Sequence, residues 1–219
     1  MRLLLATVVT LAINTPLHAQ APEAVVDRAV TAYKSIKTMR GSFEQTLRNP
    51  LTGSQPRPAL GNFEQEMPNR ISIRFTDPDG DRIVVNGTVA WLYLPSTNPS
   101  QAFKMPAATG GGSLNIIEQF LTAPAARYTM TSAGTASVSS RATHAVKLVP
   151  KKAAAEFTQA TVWIDDQDGI VRQFEIVEPS GLVRRIRMIE ARINVPVDKA
   201  AFTFTPPKGV QVIDQTGAR

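Results

Sequence analysis

Ile83-Val84-Val85-Asn86-Gly87-Thr88-Val89-Ala90-Trp91-Leu92-Tyr93 is the stretch that decides the fold. Asn-Gly between two β-branched and aromatic runs marks a hairpin, because the tight turn needs positive φ and these residues reach it at least cost. Strands joined so closely run antiparallel. The same chemistry repeats outward: Asp77-Pro78-Asp79-Gly80 sits between two strands, and Asp166-Gln167-Asp168-Gly169 and Pro179-Ser180-Gly181 separate three more.

Between these turns the apolar period is two. Phe43, Gln45 and Leu47, then Ile71, Ile73 and Phe75, then Val89, Trp91 and Tyr93 read as half-buried strands. The strands expected are 41–48, 59–67, 70–76, 81–86, 88–94, 101–105, 126–131, 135–149, 157–165, 170–178, 182–194 and 202–205. So many strands predict a mainly β fold with some helix, a large curled antiparallel sheet or an incomplete, open barrel.

Two segments depart from that period. Val26, Ala29, Val30, Tyr33, Ile36 and Met39 recur at three and four, which predicts an amphipathic helix from Pro22 to Arg40, with Pro22 in its first turn and Gly41 at its exit. Gly110-Gly111-Gly112 is a flexible joint before Ser113, an N-cap for a short helix carrying Leu114, Ile117, Phe120 and Leu121 that Pro124 ends. A greasy helix beside a joint suits a lid over an apolar cavity, but apolar stripes usually mean core, so the pattern alone favours a plug completing an ordinary core.

The amino terminus predicts export. Arg2, the apolar run Leu3 to Ile13, and Leu17-His18-Ala19 follow the order of a cleaved signal peptide, here residues 1–19, and the run is too short to span a bilayer. That leaves one domain over residues 20–219, with a formal charge of +6 that falls to +5 once Arg2 leaves. The chain has no cysteine, so disulfides and a cysteine-linked lipid anchor are excluded and stability must come from a core, for which 43% hydrophobic residues are enough. The expectation is a soluble monomer outside the cytoplasm. Aromatic platforms interleaved with basic residues, which single-stranded nucleic acid needs, are missing, so nucleic acid is not an expected partner.

The inventory of chemistry argues against an enzyme. After the signal peptide the one histidine is His144, on a strand, and there is no nucleophile elbow, phosphate loop or HExxH motif. The acidic groups Asp77, Asp79, Asp81 and Asp165, Asp166, Asp168 lack the spacing of a calcium loop, and hairpin turns account for them. No cofactor or metal is expected. Arg184, Arg185, Arg187 and Arg192 fall on one strand, as a solvated edge or as a contact for anionic lipid head groups or an acidic partner.

Four further pieces bear on family. Ser42-Phe43-Glu44-Gln45, Met67-Pro68-Asn69-Arg70-Ile71, the hairpin from Val84 to Pro95, and Ala201-Phe202-Thr203-Phe204-Thr205-Pro206-Pro207-Lys208-Gly209-Val210 occur in that order. In them the chain resembles the LolA family of periplasmic lipoprotein carriers, over essentially the whole mature length. The resemblance implies an incomplete antiparallel barrel closed by helices that holds lipoprotein acyl chains between the inner and outer membranes. It also implies an inner-membrane lipoprotein-releasing transporter and an outer-membrane acceptor as partners.

On that reading the acyl-binding cavity and lid comprise Ile71, Ile73, Phe75, Val89, Trp91, Tyr93, Leu114, Ile117, Phe120 and Leu121. The family commonly has arginine before Pro-Asn, implicated in holding the lid through hydrogen bonds to carbonyls. Met67 stands there and cannot donate, which leaves Arg70 and Arg74 as gate candidates. The proline-rich segment Asn49 to Pro58 is longer than that hairpin needs. The reading from another class is a sensor or adaptor with the same open barrel, binding a lipidated or unfolded partner.

Overall fold

The structure, a computed structural model, describes residues 20–107, 116–152 and 157–217. The expected signal peptide, residues 1–19, and Gly110 to Gly112, Ser113 and Leu114 lie outside these.

Helix α1 spans Pro22–Lys34, with proline in its first turn, Glu23 near its positive end and Lys34 near its negative end. It is shorter than the apolar stripe predicts. The Ser35 amide closes the last turn on Ala32 O, and Ile36 and Met39 leave the helix to form a small cluster with Ile170.

Among the described residues twelve strands follow: β1 Thr38–Arg48, β2 Ala59–Glu66, β3 Arg70–Asp77, β4 Asp79–Asn86, β5 Val89–Tyr93, β6 Gln101–Pro106, β7 Tyr128–Val138, β8 Arg141–Pro150, β9 Gln159–Asp165, β10 Val171–Val177, β11 Val183–Ile193 and β12 Gln211–Asp214. They form a single sheet in the order β12-β6-β5-β4-β3-β2-β1-β11-β10-β9-β8-β7, open at both ends. Long β1 joins the halves by pairing with β2 on one side and β11 on the other. Every pairing is antiparallel except β12 with β6.

The departures from the expected strands have local causes. Residues 135–149 do not form one strand: Ser139 and Ser140 both take positive φ (48° and 63°), and a two-residue hairpin there divides β7 from β8. Serines are not the residues that announce such a turn. The strand expected at 202–205 is a 3-10 turn, Lys199–Phe202, followed by extended chain, and the final strand forms later at 211–214. Lys104 Nζ meets Asp214 at 2.7 Å on this added edge and holds its carboxyl down to about 2.

The main core fills one end of the sheet. Val25, Val26 and Ala29 of α1 pack with Phe120 and Leu121 against Tyr128, Leu148, Phe157 and Val162. Phe120 meets Phe157 and Phe174 edge to face at 5.7 and 5.8 Å. Under α1, Asp165 is a polar fastener. Its carboxylate, 1% exposed, accepts Arg141 Nε at 2.6 Å and Arg172 Nε at 2.8 Å, while Arg172 also reaches Asp168. Asp166 takes His144 Nδ1 at 2.5 Å and Arg28 of α1 at 3.2 Å. Burial would raise the Asp165 carboxyl; hydrogen bonds from Arg141, the Gln167 amide and Arg172 outweigh it and hold it well below the usual carboxylate range.

Candidate functional site

The concave face of the sheet is not filled by this core. Beside it lies a cavity of about 460 Å³. Its walls follow from strand alternation and register. On β3, Ile71, Ile73 and Phe75 face inward, and Ile73 opposes Ile83 of β4. β1 adds Met39, Phe43 and Gln45, and β2 adds Phe63 and Gln65. From the other half come Phe174 and Ile176 of β10, with Arg184, Ile186 and Met188 of β11. Strands as far apart in the sheet as β4 and β10 share one cavity, so the sheet curls around it.

A glycine shapes the wall. Gly61 has no Cβ to meet the Phe43 ring, which would lie 2.6 Å away, so that ring tips over the backbone and meets Phe75 edge to face at 5.4 Å. The short helix Ile116–Leu121 divides along its length: Ile116 and Ile117 in its first turn line the cavity, Ile116 also touching the core, and Phe120 and Leu121 one turn on are in the core. In its described part the helix therefore serves as cavity wall at its start and as plug at its end.

Of the residues expected to line the cavity, Ile71, Ile73, Phe75 and Ile117 are brought together there. Phe120 and Leu121 are core, and Leu114 is outside the described residues. Val89, Trp91 and Tyr93 require correction. Across β4 and β5, Ile83 opposes Leu92 and Val84 opposes Trp91, so the inward residues of β5 are Ala90 and Leu92. A strand shows period two on both of its faces, and here the larger side chains are on the outer one. They are covered there by the chain beyond β11: Phe204 lies 5.4 Å from Trp91 and 5.8 Å from Tyr93. Trp91→Ala is expected to lower stability by roughly 2–3 kcal/mol by loosening this strap. Binding of an apolar fluorophore in the cavity should be unchanged, and a variant that folds normally but loses the fluorophore would put Trp91 back in the site.

The gate candidates do not reach the cavity. Arg70 and Arg74 alternate with Ile71 and Ile73 and so project outward, and Arg70 pairs with Glu66 at 3.0 Å. Met67 packs beside Ile36 and Met39. The charged groups at the cavity are instead Glu178 and Arg184, paired at 2.9 Å. The arginine run of β11 is thereby divided: Arg185 pairs with Glu175 at 2.6 Å and Arg187 with Glu44 at 3.0 Å on the outer face, while Arg184 shares the inward face with Ile186 and Met188. That alternation is the signal by which Arg184 could have been picked out.

The model of the family described as "Outer membrane lipoprotein carrier protein LolA" matches residues 34–205. The chain belongs to the LolA family. An outer-membrane lipoprotein carrier protein of Salmonella paratyphi A is 28% identical over 190 residues, 85% of this chain and 88% of that one. That of Klebsiella pneumoniae is 28% identical over 180 residues, 82% and 83% of the two chains. Among solved structures, a conserved protein from Thermus thermophilus matches with TM-score 0.56 and 12% identity over 88% of this chain and 98% of its own. MucB matches with TM-score 0.51 and 14% identity over 84% of this chain and 62% of that one. These two share the fold of this LolA-family chain. Among the described residues no helix is long and apolar enough to cross a membrane.

Proposed function

We propose that this LolA-family protein is a periplasmic carrier that takes lipoproteins by their acyl chains into the concave cavity and passes them from the inner to the outer membrane. The cavity carries the reading: isoleucine, phenylalanine and methionine side chains from both halves of the sheet line it, with few polar groups among them. Such a lining supports binding and not catalysis, and His144 is not among its residues.

The energetics suit a carrier. Each buried methylene contributes about 0.8 kcal/mol, so complete burial of several chains would exceed the practical affinity ceiling of about 18–21 kcal/mol. A curled sheet open at both ends, with a cavity beside the packed core, leaves part of the lipid loosely held and able to depart. Loading would come from an inner-membrane lipoprotein-releasing transporter and unloading would go to an outer-membrane acceptor.

Native mass spectrometry of the protein isolated from periplasm tests this. Bound lipoprotein or acyl chains are expected, together with release of lipoprotein from donor membranes when the protein is added with the transporter. Protein recovered empty that never relieves a membrane of lipoprotein would overturn the proposal.

A further inference from the structure

Three of the polar groups of the cavity gather at one end; a fourth, Gln65, lies beside Met39 and Ile71 at the other, where its amide already donates to Met67 Sδ at 3.5 Å. Gln45 opposes Ile186, and Arg184 lies two residues from Ile186 on the same face of β11. Such diagonal neighbours are about 7–8 Å apart, within reach of long side chains. Arg184 opposes Ile176, and Glu178 follows two residues later at the head of the turn into β11. Gln45, Glu178 and Arg184 therefore share one end of the cavity, while Met39, Ile71 and Met188 lie toward the other.

Their hydrogen bonds are incompletely used. Glu178 Oε1 accepts Arg184 Nε at 3.3 Å and Nη2 at 2.9 Å. Arg184 Nη1 and the Gln45 amide make no hydrogen bond among the described residues. The pair is half-buried, with Arg184 38% and Glu178 24% exposed. The end of the cavity thus offers N–H donors with no net charge.

We infer that this end receives the carbonyl group of a neutral acyl ester or amide and discriminates against the carboxylate of a free fatty acid. The inference rests on the carrier reading and gives its cargo an orientation, tails toward Met39 and Ile71 and carbonyl toward Gln45 and Arg184. A neutral carbonyl accepts from Gln45 or Arg184 Nη1 at no electrostatic cost. A carboxylate meets an arginine already neutralised by Glu178, whose like charge repels it in a partly desolvated setting.

The test is displacement of an apolar fluorophore from the purified protein at pH 7.5 by monolauroylglycerol and by laurate, which have the same tail. Wild type should prefer the ester by about tenfold or more, the ratio that about 1.4 kcal/mol produces. Glu178→Gln leaves Arg184 unneutralised and should narrow the preference by tightening laurate. Gln45→Leu keeps the ion pair and should weaken the ester while leaving laurate unchanged. If the pair merely closes the hairpin, Glu178→Gln will alter stability and leave the ratio untouched. Equal binding of both probes, or a ratio that neither variant moves, overturns the inference and leaves the carrier reading intact. Failure of both probes to displace the fluorophore overturns the two together.

Discussion

Ile73→Glu is expected to cut acyl-chain binding by at least about a hundredfold, equivalent to about 2.8 kcal/mol. Ile73 sits mid-wall, between Phe63 and Ile83 in register, and it is only half-buried because its far side faces the cavity. A carboxylate there must either stay hydrated, which keeps water where an acyl chain should lie, or be desolvated at a cost no partner offsets. Stability should change far less than at Ile71, which is buried against Val85 and Ala90. The comparison is fluorophore binding and denaturant midpoint for Ile73→Glu and Ile73→Leu. Normal binding by a folded Ile73→Glu protein would remove this cavity as the acyl site.

Asp165→Asn should be the most destabilising polar substitution in the molecule, by about 3–5 kcal/mol. Asparagine keeps the shape and loses the charge, leaving Arg172, 10% exposed, with Asp168 alone and Arg141 likewise weakened. The pH dependence provides a second readout. The native Asp165 carboxyl titrates below its unfolded value of about 3.9, so its stabilisation is fully present above that pH. As pH falls through the interval below it, the unfolded chain binds a proton that the native state does not, and stability drops. Wild type should therefore lose stability below about pH 4, and Asp165→Asn should show a flatter profile over the same range. Parallel profiles would mean that Asp165 does not make this contribution.

The legibility of the fold varied by element. Asn86-Gly87 placed the β4–β5 hairpin correctly: Gly87 supplies the positive φ (107°) the turn needs, and Asn86, the last residue of β4, accepts the Thr88 and Val89 amides on its Oδ1. Ser139-Ser140 adopts positive φ without such residues, so tertiary pairing of β7 with β8 holds a turn that local chemistry does not announce. Ile36 and Met39 continued a helical period but are needed beneath the sheet, where they meet Ile170, and packing overrode the period.

The candidate cavity was legible on β3 and not on β5, for a reason of parity. Ile71, Ile73 and Phe75 form an apolar face opposite Ser72 and Arg74, which leaves no choice of side. On β5 both faces are apolar, so composition cannot say whether Trp91 or Leu92 points inward. Only the pairing with β4, and the later arrival of Phe204 over the outer face, decides it.

The sequence by itself determined the antiparallel β class, the early amphipathic helix and the family, because each is written in neighbouring residues or in a motif; it assigned Asp165 to a turn, whereas that carboxylate ends β9 and is buried between Arg141 and Arg172. The tertiary structure decided which side of each strand became cavity and that Arg184 alone of its arginine run faces it. It also decided that the last strand closes the far edge in parallel. Those outcomes depend on register between segments distant in sequence, and register is set where strands meet, not within any one of them.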